Sequence, residues 1–350
     1  MTRRSTVVGA LAIALVVLAA ACTTTKPSGE TPDRLTLLVH DSFALSEGTL
    51  EAFTDRTGIA IDIVTGGDAP TMLNQAILTK DNPIADVIYG IDNTLISRAA
   101  DNGILVPHAA TAIDTVDPRL RLDGDLATPI DYGDVCVNYD IDALATAEID
   151  PPSTLEDLVD PRYADMLVVE NPATSSPGLA FLMATIAAYP DGATYDWTDY
   201  WSELFANGVT VAADWSEAYY THFTRAGGDR PLVVSYASSP PVEVLFGELD
   251  TAPTGVLTDG CFRQIEYAGV LSGSPYPSAA GELVDFLLST SVQEDIPLNM
   301  FVFPTNETAK LADVFVEYTV FPPESTLLEP GTIEQNRDDW IEQWTTLARS

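Results

Sequence analysis

Short apolar strands alternate with helices along most of this 350-residue chain, and this alternation constrains the fold more than any other feature. The first three strands are predicted over 35–40, 59–64 and 86–89, and the helices after them over 46–57, 70–80 and 94–102. Gly58 and Gly103 directly follow the first and third helices, as is common at helix ends. Strands and helices at this spacing indicate a parallel α/β sheet.

A second α/β run follows the first. Its strands are predicted over 134–138, 166–169, 209–212, 232–236 and 263–270, and its helices over 178–189, 197–206, 215–225, 279–289 and 333–347. The last helix places Trp340, Trp344 and Leu347 on one face. A hydrophobic content of 46% is ample for two cores, so we predict two α/β lobes. The chain has neither GxGxxG nor GxxxxGK[ST], so nothing in it indicates nucleotide binding.

The amino terminus has the pattern of an export signal. Arg3 and Arg4 precede an apolar run over 7–18, and three alanines then lead into Cys22. A cysteine at this position is where a bacterial lipoprotein is cut and acylated. We therefore predict a signal peptide over 1–21, lipidation of Cys22, and a flexible lipidated tether over 22–34. The protein would then work at the outer face of the cytoplasmic membrane. A plain signal peptide or a membrane helix is the alternative, but the apolar run is short for a span of about 20 residues.

The formal charge of −36 comes from 52 acidic and 16 basic side chains. A field of this sign repels nucleic acid and anionic lipid headgroups and attracts cations. We therefore expect no nucleic-acid partner, and contact with the membrane through the lipid anchor alone. A salt-adapted extracellular protein, or one with an acidic surface, would also carry such a charge, so the charge by itself identifies no ligand.

Cysteines and histidines limit the chemistry that the chain can do. With Cys22 used for the lipid, Cys136 and Cys261 remain as an even pair in an oxidising location, which favours a disulfide. His40, His108 and His222 are scattered, so no metal site is expected. The chain has no GxSxG or HExxH motif and no nucleophile–base pair near its histidines. We therefore predict that it is not an enzyme and needs no cofactor.

Seven local strings resemble the thiamine-binding proteins of bacterial ABC transporters, in the same order and with similar separations. They are LTLLVHDSFA (35–44), IADVIYGIDNTLI (84–96), PIDYGDVCVNYD (129–140), NPATSSPGLAFL (171–182), DWSEAYYTHF (214–223), LVVSYASSP (232–240) and IPLNMFVFP (296–304). The resemblance implies a type II periplasmic-binding-protein fold, in which two α/β lobes are joined by crossing strands. We place the first lobe at 35–130 plus 262–298 and the second at 131–261 plus 299–350. Cys136 and Cys261 would then lie on crossing strands.

The resemblance also implies a ligand and its contacts. Thiamine carries a flat thiazolium cation, which calls for aromatic faces and a nearby carboxylate. Asp68, Ser175, Ser176 and Trp215 match contact positions of the family. Tyr236, Ser238 and Ser239 are candidates because they lie at the end of a predicted strand. Phe301 stands where the family often has tryptophan, and its ring can still stack. The helix start at 174–178 would suit an oxygen or a phosphate of the ligand's arm. Capping of their helices is the alternative role of Asp68 and of the four serines.

The chain departs from the family at three positions near the expected cleft. His40 stands where the family has tyrosine, Glu47 replaces a tryptophan, and Val242 occupies a further aromatic position. We include His40 and Glu47 among the candidate ligand-binding residues. A cage with fewer aromatic rings also leaves room for a related ligand, such as a pyrimidine precursor or another small cation. Asp131 and Tyr132 are weaker candidates, because a strand that crosses between lobes also needs packing residues.

These implications lead to one functional prediction. The protein would be the lipid-anchored solute-binding component of an ABC importer, a monomer that delivers thiamine or thiamine phosphates to a permease and its ATPase. The rival prediction is ferric-ion or polyamine-like cation binding on the same fold. Tyr219 and Tyr220 resemble the adjacent tyrosines of iron-binding relatives, although neighbouring residues on a helix point to different faces.

Overall fold

The structure, a computed structural model, describes residues 31–349. The predicted signal peptide, Cys22 and the tether as far as residue 30 lie outside the described residues. Within residues 31–349, none of the helices combines the length and the apolar character needed to cross a membrane.

The strands of the described residues form one mixed sheet. Their bounds are β1 (Arg34–Val39), β2 (Ala60–Thr65), β3 (Val87–Asp92), β4 (Leu105–Val106), β5 (Thr128–Asp140), β6 (Leu167–Glu170), β7 (Thr210–Ala212), β8 (Leu232–Tyr236), β9 (Thr254–Leu271) and β10 (Phe303–Pro304). The order across the sheet is β2-β1-β3-β9-β5-β8-β6-β7, with β4 beside β9 and β10 beside β5.

Helices flank this sheet. Their bounds are α1 (Glu51–Thr57), α2 (Ala69–Leu78), α3 (Ile96–Asp101), α4 (Ile141–Thr146), α5 (Ser176–Ala188), α6 (Trp197–Ala206), α7 (Trp215–Glu217), α8 (Pro240–Gly247), α9 (Pro277–Leu287), α10 (Thr290–Asn299), α11 (Asp313–Tyr318) and α12 (Pro330–Leu347). Helix α5 is buried from residue 176 to residue 186, so it forms the centre of its side of the fold.

Two predicted helices differ from the observed ones. The helix predicted over 46–57 begins only at Glu51, because Gly48 adopts a left-handed φ of 89° and Asp295 accepts a hydrogen bond from the Ser46 amide. The helix predicted over 215–225 is α7 followed by a π-helical turn over Ala218–His222. A π-helical turn contains one more residue than a turn of α-helix, and such turns are often found at functional sites.

The predicted parallel pairing is confirmed for the outer strands, whereas the centre of the sheet is antiparallel. Strands β1, β2 and β3, which we call the first half, pair in parallel, and so do β6, β7 and β8, the second half. Between them, β5 and β9 run antiparallel to each other and to β8 and β3 respectively. These two long strands therefore connect the halves.

A disulfide joins the connecting strands. Cys136 of β5 is bonded to Cys261 of β9, at a point where the pairing of these strands shifts register between Val135 and Val137. The disulfide that the sequence analysis favours is therefore present in the structure. The lobe limits given above stay a prediction, although the crossing of β5 and β9 between the halves is the connection that such lobes require.

The carboxyl-terminal helix α12 contacts both halves. Trp344 packs edge-to-face against Trp201 of α6, with ring centroids 5.4 Å apart. On the other side, the buried Arg337 donates a hydrogen bond of 3.2 Å to the carbonyl oxygen of Thr94, two residues after the end of β3. The tryptophan face predicted for this helix is therefore a packing face, and it lies away from the cavity described next.

Candidate functional site

The candidate site lies where the strands of both halves end. His40 follows β1, Asp68 follows β2, Ser176 comes after β6, Trp215 follows β7, and Tyr236 is the last residue of β8. The carboxyl ends of parallel strands are where α/β proteins bind ligands. A cavity of about 340 Å³ opens at this edge, and all five of these residues line it. Its size is within the range of small-molecule sites.

The structure brings seven of the ten candidate ligand-binding residues to this cavity and leaves three outside its lining. The seven are His40, Asp68, Ser176, Trp215, Tyr236, Ser239 and Phe301. Glu47 is exposed and does not line the cavity. Ser175 and Ser238 are wholly buried behind it.

The two buried serines position other residues. Ser175 is the N-cap of α5, and its hydroxyl accepts a hydrogen bond from the amide of Gly178. Ser238 donates a hydrogen bond of 2.6 Å to the carbonyl oxygen of Phe301, whose backbone has a left-handed φ of 55°. Non-glycine residues rarely adopt this conformation. Ser238 therefore helps to hold the strained backbone that places the Phe301 ring in the cavity.

Aromatic rings from the second half form one side of the cavity. We call Trp215, Tyr219, Tyr220, Tyr236 and Phe246 the aromatic wall. Trp215 stacks on Tyr219 with ring centroids 5.0 Å apart, and its indole N–H donates to the hydroxyl of Ser235. The hydroxyls of Ser235 and Ser239 lie 2.9 Å apart, so both serines fix the Trp215 ring in place.

Charged side chains from the first half and β9 form the other side. We call Asp41, Asp68, Glu266 and His40 the acidic wall. The Nε2 atom of His40 lies 3.2 Å from Oε2 of Glu266, and both residues are buried. Phe43 adds an aromatic ring on this side. Among the described lining residues, the second half contributes no carboxylate.

Asp68 links the starts of two helices. Its Oδ1 atom accepts hydrogen bonds from the amide of Ala69, at 2.7 Å, and from the amide of Ser176, at 3.0 Å. The first bond belongs to α2 in the first half, and the second belongs to α5 in the second half. Asp68 therefore acts as a helix cap and also bridges the two sides of the cavity.

Burial and neighbouring charges shift the pKa values of these groups. Burial raises the pKa of Asp68 to about 6, although the amide of Ser176 opposes the shift. Burial alone would lower the pKa of His40, but the Glu266 carboxylate beside it raises that pKa to about 9. At neutral pH, Asp68 is therefore mostly ionised and His40 is protonated.

The hydroxyl of Ser176 is a buried polar group of the cavity that has neither a hydrogen bond nor an ion pair within the described residues. Ser176 is 2% exposed, and its hydroxyl oxygen makes no hydrogen bond within the described residues. Buried hydroxyl groups are normally satisfied by protein, water or ligand. A polar atom of a bound ligand would satisfy this hydroxyl.

The weaker candidates Asp131 and Tyr132 lie outside the cavity lining. Asp131 is wholly buried and hydrogen-bonded to the hydroxyl of Tyr89. Burial, together with the nearby Glu266, raises its pKa well above the usual range. Tyr132 stacks on Phe303 in a separate surface cavity.

Sequence reasoning missed Glu266, Phe246 and Phe43 as cavity residues. Glu266 lies in β9 between Ile265 and Tyr267, in a sequence that indicates nothing more than a strand. A carboxylate beside the apolar end of this strand, Tyr267–Leu271, is the signal that could have identified it, because buried charges need a partner. Phe246 is 73% exposed, on a helix whose sequence gives no sign of the cavity.

The two neighbouring tyrosines have separate roles. Tyr219 is buried, and its hydroxyl donates a hydrogen bond of 2.9 Å to Glu243. Tyr220 is 60% exposed, and the two rings are inclined at 74°. Within residues 31–349, no three His, Cys, Asp or Glu side chains are grouped as ligands for a metal ion.

The fold and this cavity define a class of protein, and the comparison with family models agrees. Residues 82–322 match the model of the family described as bacterial extracellular solute-binding protein. The chain belongs to this family.

Comparison with individual proteins gives more specific similarities than the family model does. The chain is 28% identical to the thiamine-binding periplasmic protein of Brucella abortus, over 91% of this chain and 93% of the relative. It is 29% identical to the thiamine-binding periplasmic protein of Escherichia coli, over 89% of this chain and 92% of the relative. The predicted resemblance to thiamine-binding proteins is therefore confirmed.

Solved structures establish the fold. A periplasmic thiamin binding protein superimposes with a TM-score of 0.81 at 27% identity, covering 92% of this chain and 98% of the other. Iron-bound HitA from Pseudomonas aeruginosa superimposes with a TM-score of 0.72 at 20% identity, covering 90% and 99%. At that identity the second match shows only the fold. The predicted two-lobe type II periplasmic-binding-protein fold is confirmed.

Proposed function

We propose that this protein binds thiamine or a close relative of thiamine in the cavity between the acidic and aromatic walls. One observation carries the proposal: the three carboxylates of the acidic wall and the five rings of the aromatic wall line one cavity. A flat cation gains roughly 0.5–2 kcal/mol from each aromatic face that it covers, and more where water is excluded. Carboxylates at the same cavity favour positive charge, and the two attractions suit one kind of ligand.

The hydrogen-bonding groups fit the rest of that ligand. Asp68 is an acceptor at the end of the cavity where the unpartnered hydroxyl of Ser176 also lies. An aminopyrimidine offers an amine donor to a carboxylate and ring nitrogens to a hydroxyl. We therefore place the aminopyrimidine of thiamine near Asp68 and Ser176, and the thiazolium ring against Trp215.

Delivery to a membrane importer follows from the same proposal. Solute-binding proteins of this kind close around a ligand because the ligand makes its full set of contacts only in the closed form. We propose that the closed form docks on an ABC permease, whose ATPase partner drives import. The protein would act as a monomer, tethered by lipid at Cys22, and would do no chemistry on its ligand.

Ferric-ion binding remains the rival, and the contacts of the tyrosine pair disfavour it. The hydroxyl of Tyr219 is engaged with Glu243, and the ring of Tyr220 is inclined at 74° to that of Tyr219. Adding ferric citrate would produce a tyrosinate absorbance band if these residues held iron. We expect no such band.

Calorimetric titration of the protein with thiamine tests the proposal directly. Putrescine and an isolated aminopyrimidine serve as controls, because each has part of the chemistry of thiamine. We expect saturable one-to-one binding of thiamine and much weaker binding of both controls. Binding of putrescine in preference to thiamine would contradict the proposal.

A further inference from the structure

The aromatic wall is built on a helical turn that is wider than an α-helical turn. Helix α7 continues into the π-helical turn over Ala218–His222. The amide of Phe223 donates a hydrogen bond of 3.0 Å to the carbonyl oxygen of Ala218, five residues earlier, whereas the amide of Ala218 donates to Asp214, four residues earlier. The additional residue therefore enters the chain directly after α7.

This turn determines which side chains face the cavity. An α-helix has about 3.6 residues per turn, so the fourth residue after Trp215 would share its face and the fifth would point roughly 140° away. A π-helical turn, with its additional residue, brings the fifth residue back toward that face. Tyr219 and Tyr220 both line the cavity together with Trp215. Neighbouring side chains that would point to different faces of an α-helix therefore reach one cavity here.

The two tyrosine rings meet Trp215 in different ways. Tyr219 is stacked on Trp215 with an angle of 26° between the ring planes, so it covers one face of the indole. Tyr220 stands at 81° to Trp215, with ring centroids 5.5 Å apart. The indole and the Tyr220 ring thus form a corner in the lining of the cavity. A flat ring that stacks in this corner on the indole would meet the Tyr220 ring at its side.

Exposure also separates the two tyrosines. Tyr219 is 3% exposed and its hydroxyl is bonded to Glu243, so it acts as a fixed support for Trp215. Tyr220 is 60% exposed although it lines the cavity. Covering an exposed aromatic ring is favourable, because apolar surface is removed from water. A ligand that covers Tyr220 would therefore gain affinity from it.

A carboxylate of α8 restrains the turn from outside. The Oε1 atom of Glu243 accepts a hydrogen bond of 2.9 Å from the hydroxyl of Tyr219, and its Oε2 atom lies 3.7 Å from Nε of Arg225. Tyr219 belongs to the π-helical turn, and Arg225 lies three residues beyond its end. One side chain of the neighbouring helix therefore contacts the turn itself and the segment that follows it.

We propose that Tyr220 contacts the ligand and adds to the affinity for thiamine, and that the π-helical turn, restrained by Glu243, places it in the cavity. The inference rests on the proposed function, because it assigns a further contact to the proposed ligand. From the sequence, Tyr220 resembles only a tyrosine of iron-binding relatives. Its place beside Trp215 becomes visible only once the π-helical turn is known.

Calorimetric titration of Tyr220→Ala with thiamine tests the contact. We expect this variant to bind about fivefold more weakly than the wild-type protein, and Tyr220→Phe, which keeps the ring, to lose about twofold or less. Phe321→Ala serves as the control, since that ring is also 60% exposed but lies outside the lining. If Tyr220→Ala bound as tightly as the wild type, or if Phe321→Ala lost as much, the inference would fall while the proposed function stood. A wild-type protein that did not bind thiamine would overturn both.

Double-mutant cycles test the role of the restrained turn. Glu243→Ala removes the acceptor of the Tyr219 hydroxyl, whereas Glu243→Gln keeps an oxygen in its place. We expect the loss of affinity caused by Tyr220→Ala to be about twofold smaller in the Glu243→Ala background than in the wild type, and nearly unchanged in the Glu243→Gln background. Tyr219→Phe removes the hydroxyl alone and should act like Glu243→Ala, without truncating the side chain of α8. Equal losses in all four backgrounds would show that Glu243 does not place Tyr220, and would overturn this part of the inference.

Discussion

The two sides of the cavity differ in chemistry. The acidic wall comes from the first half and β9, and it carries three carboxylates with one protonated histidine. The aromatic wall comes from the second half, and its described lining residues include five aromatic rings and no carboxylate. Charge is thus supplied from one side and, apart from Phe43, the aromatic rings from the other, so a ligand gains the full set of both contacts only when it touches both walls.

This division suits a protein that must close around its ligand. A cation bound to the acidic wall alone would gain electrostatic attraction and at most the ring of Phe43, and a cation bound to the aromatic wall alone would gain aromatic contact without a carboxylate. A ligand shifts the balance between open and closed forms only through its different affinity for the two forms. Because the two attractions come from different walls, a flat cation binds the closed form much more tightly than the open form. A simple cation or a neutral ring uses only one wall, so its affinities for the two forms differ less.

The largest expected effect follows from breaking the aromatic wall. Trp215→Ala removes the stacked ring that the Ser235 hydroxyl holds in place, and we expect thiamine binding to weaken at least tenfold, or about 1.4 kcal/mol. Trp215→Phe keeps a stacking face and should lose less. Phe321→Ala is the matched control, because this exposed ring does not line the cavity. If calorimetry gave an unchanged dissociation constant for Trp215→Ala, Trp215 would not be part of the binding site.

A smaller effect follows from removing charge from the acidic wall. Glu266→Gln preserves the shape of a buried side chain and removes its negative charge, and we expect thiamine to bind about fivefold more weakly. Glu47→Gln makes the same chemical change at an exposed position outside the cavity lining and should leave binding unchanged. If Glu47→Gln weakened thiamine binding as much as Glu266→Gln, the assignment of residues to the acidic wall would be wrong.

Acid should weaken binding through Asp68. Because burial raises the pKa of this carboxyl to about 6, it becomes neutral as the pH falls through that value. The attraction for a cation is therefore present above pH 6 and lost below it. We expect about a threefold loss of affinity between pH 7 and pH 5, and at most about tenfold. Asp68→Asn, already neutral, should bind more weakly at pH 7 and show a flatter profile. A wild-type affinity that is constant over this range would contradict the assigned role.

Much of this architecture could be predicted from the sequence, because alternating apolar strands and helices determine the parallel parts of the sheet. The helix over Trp197–Ala206 was predicted with its observed bounds. The antiparallel centre was not predicted, because the direction in which β5 and β9 run depends on contacts between distant parts of the chain.

The candidate site was predictable where a residue follows the end of a strand. His40, Asp68, Trp215 and Tyr236 all meet this condition. Glu266 could not be identified in the same way, since its place in the cavity comes from the pairing of β9 with β3, which sets it opposite Asp92. The exposure of Glu47 could not be predicted either, because the turn around Gly48 and the hydrogen bonds to Asp295 determine the conformation of that segment.

Comparing thiamine with a neutral isostere tests most directly whether the cavity recognises a flat cation by charge and stacking together. In deazathiamine, carbon replaces the charged ring nitrogen, so shape and hydrogen-bonding groups are kept while the positive charge is lost. Calorimetric titration should show thiamine binding at least about tenfold more tightly than deazathiamine. Equal affinities for the two compounds would show that charge contributes nothing and would contradict the account.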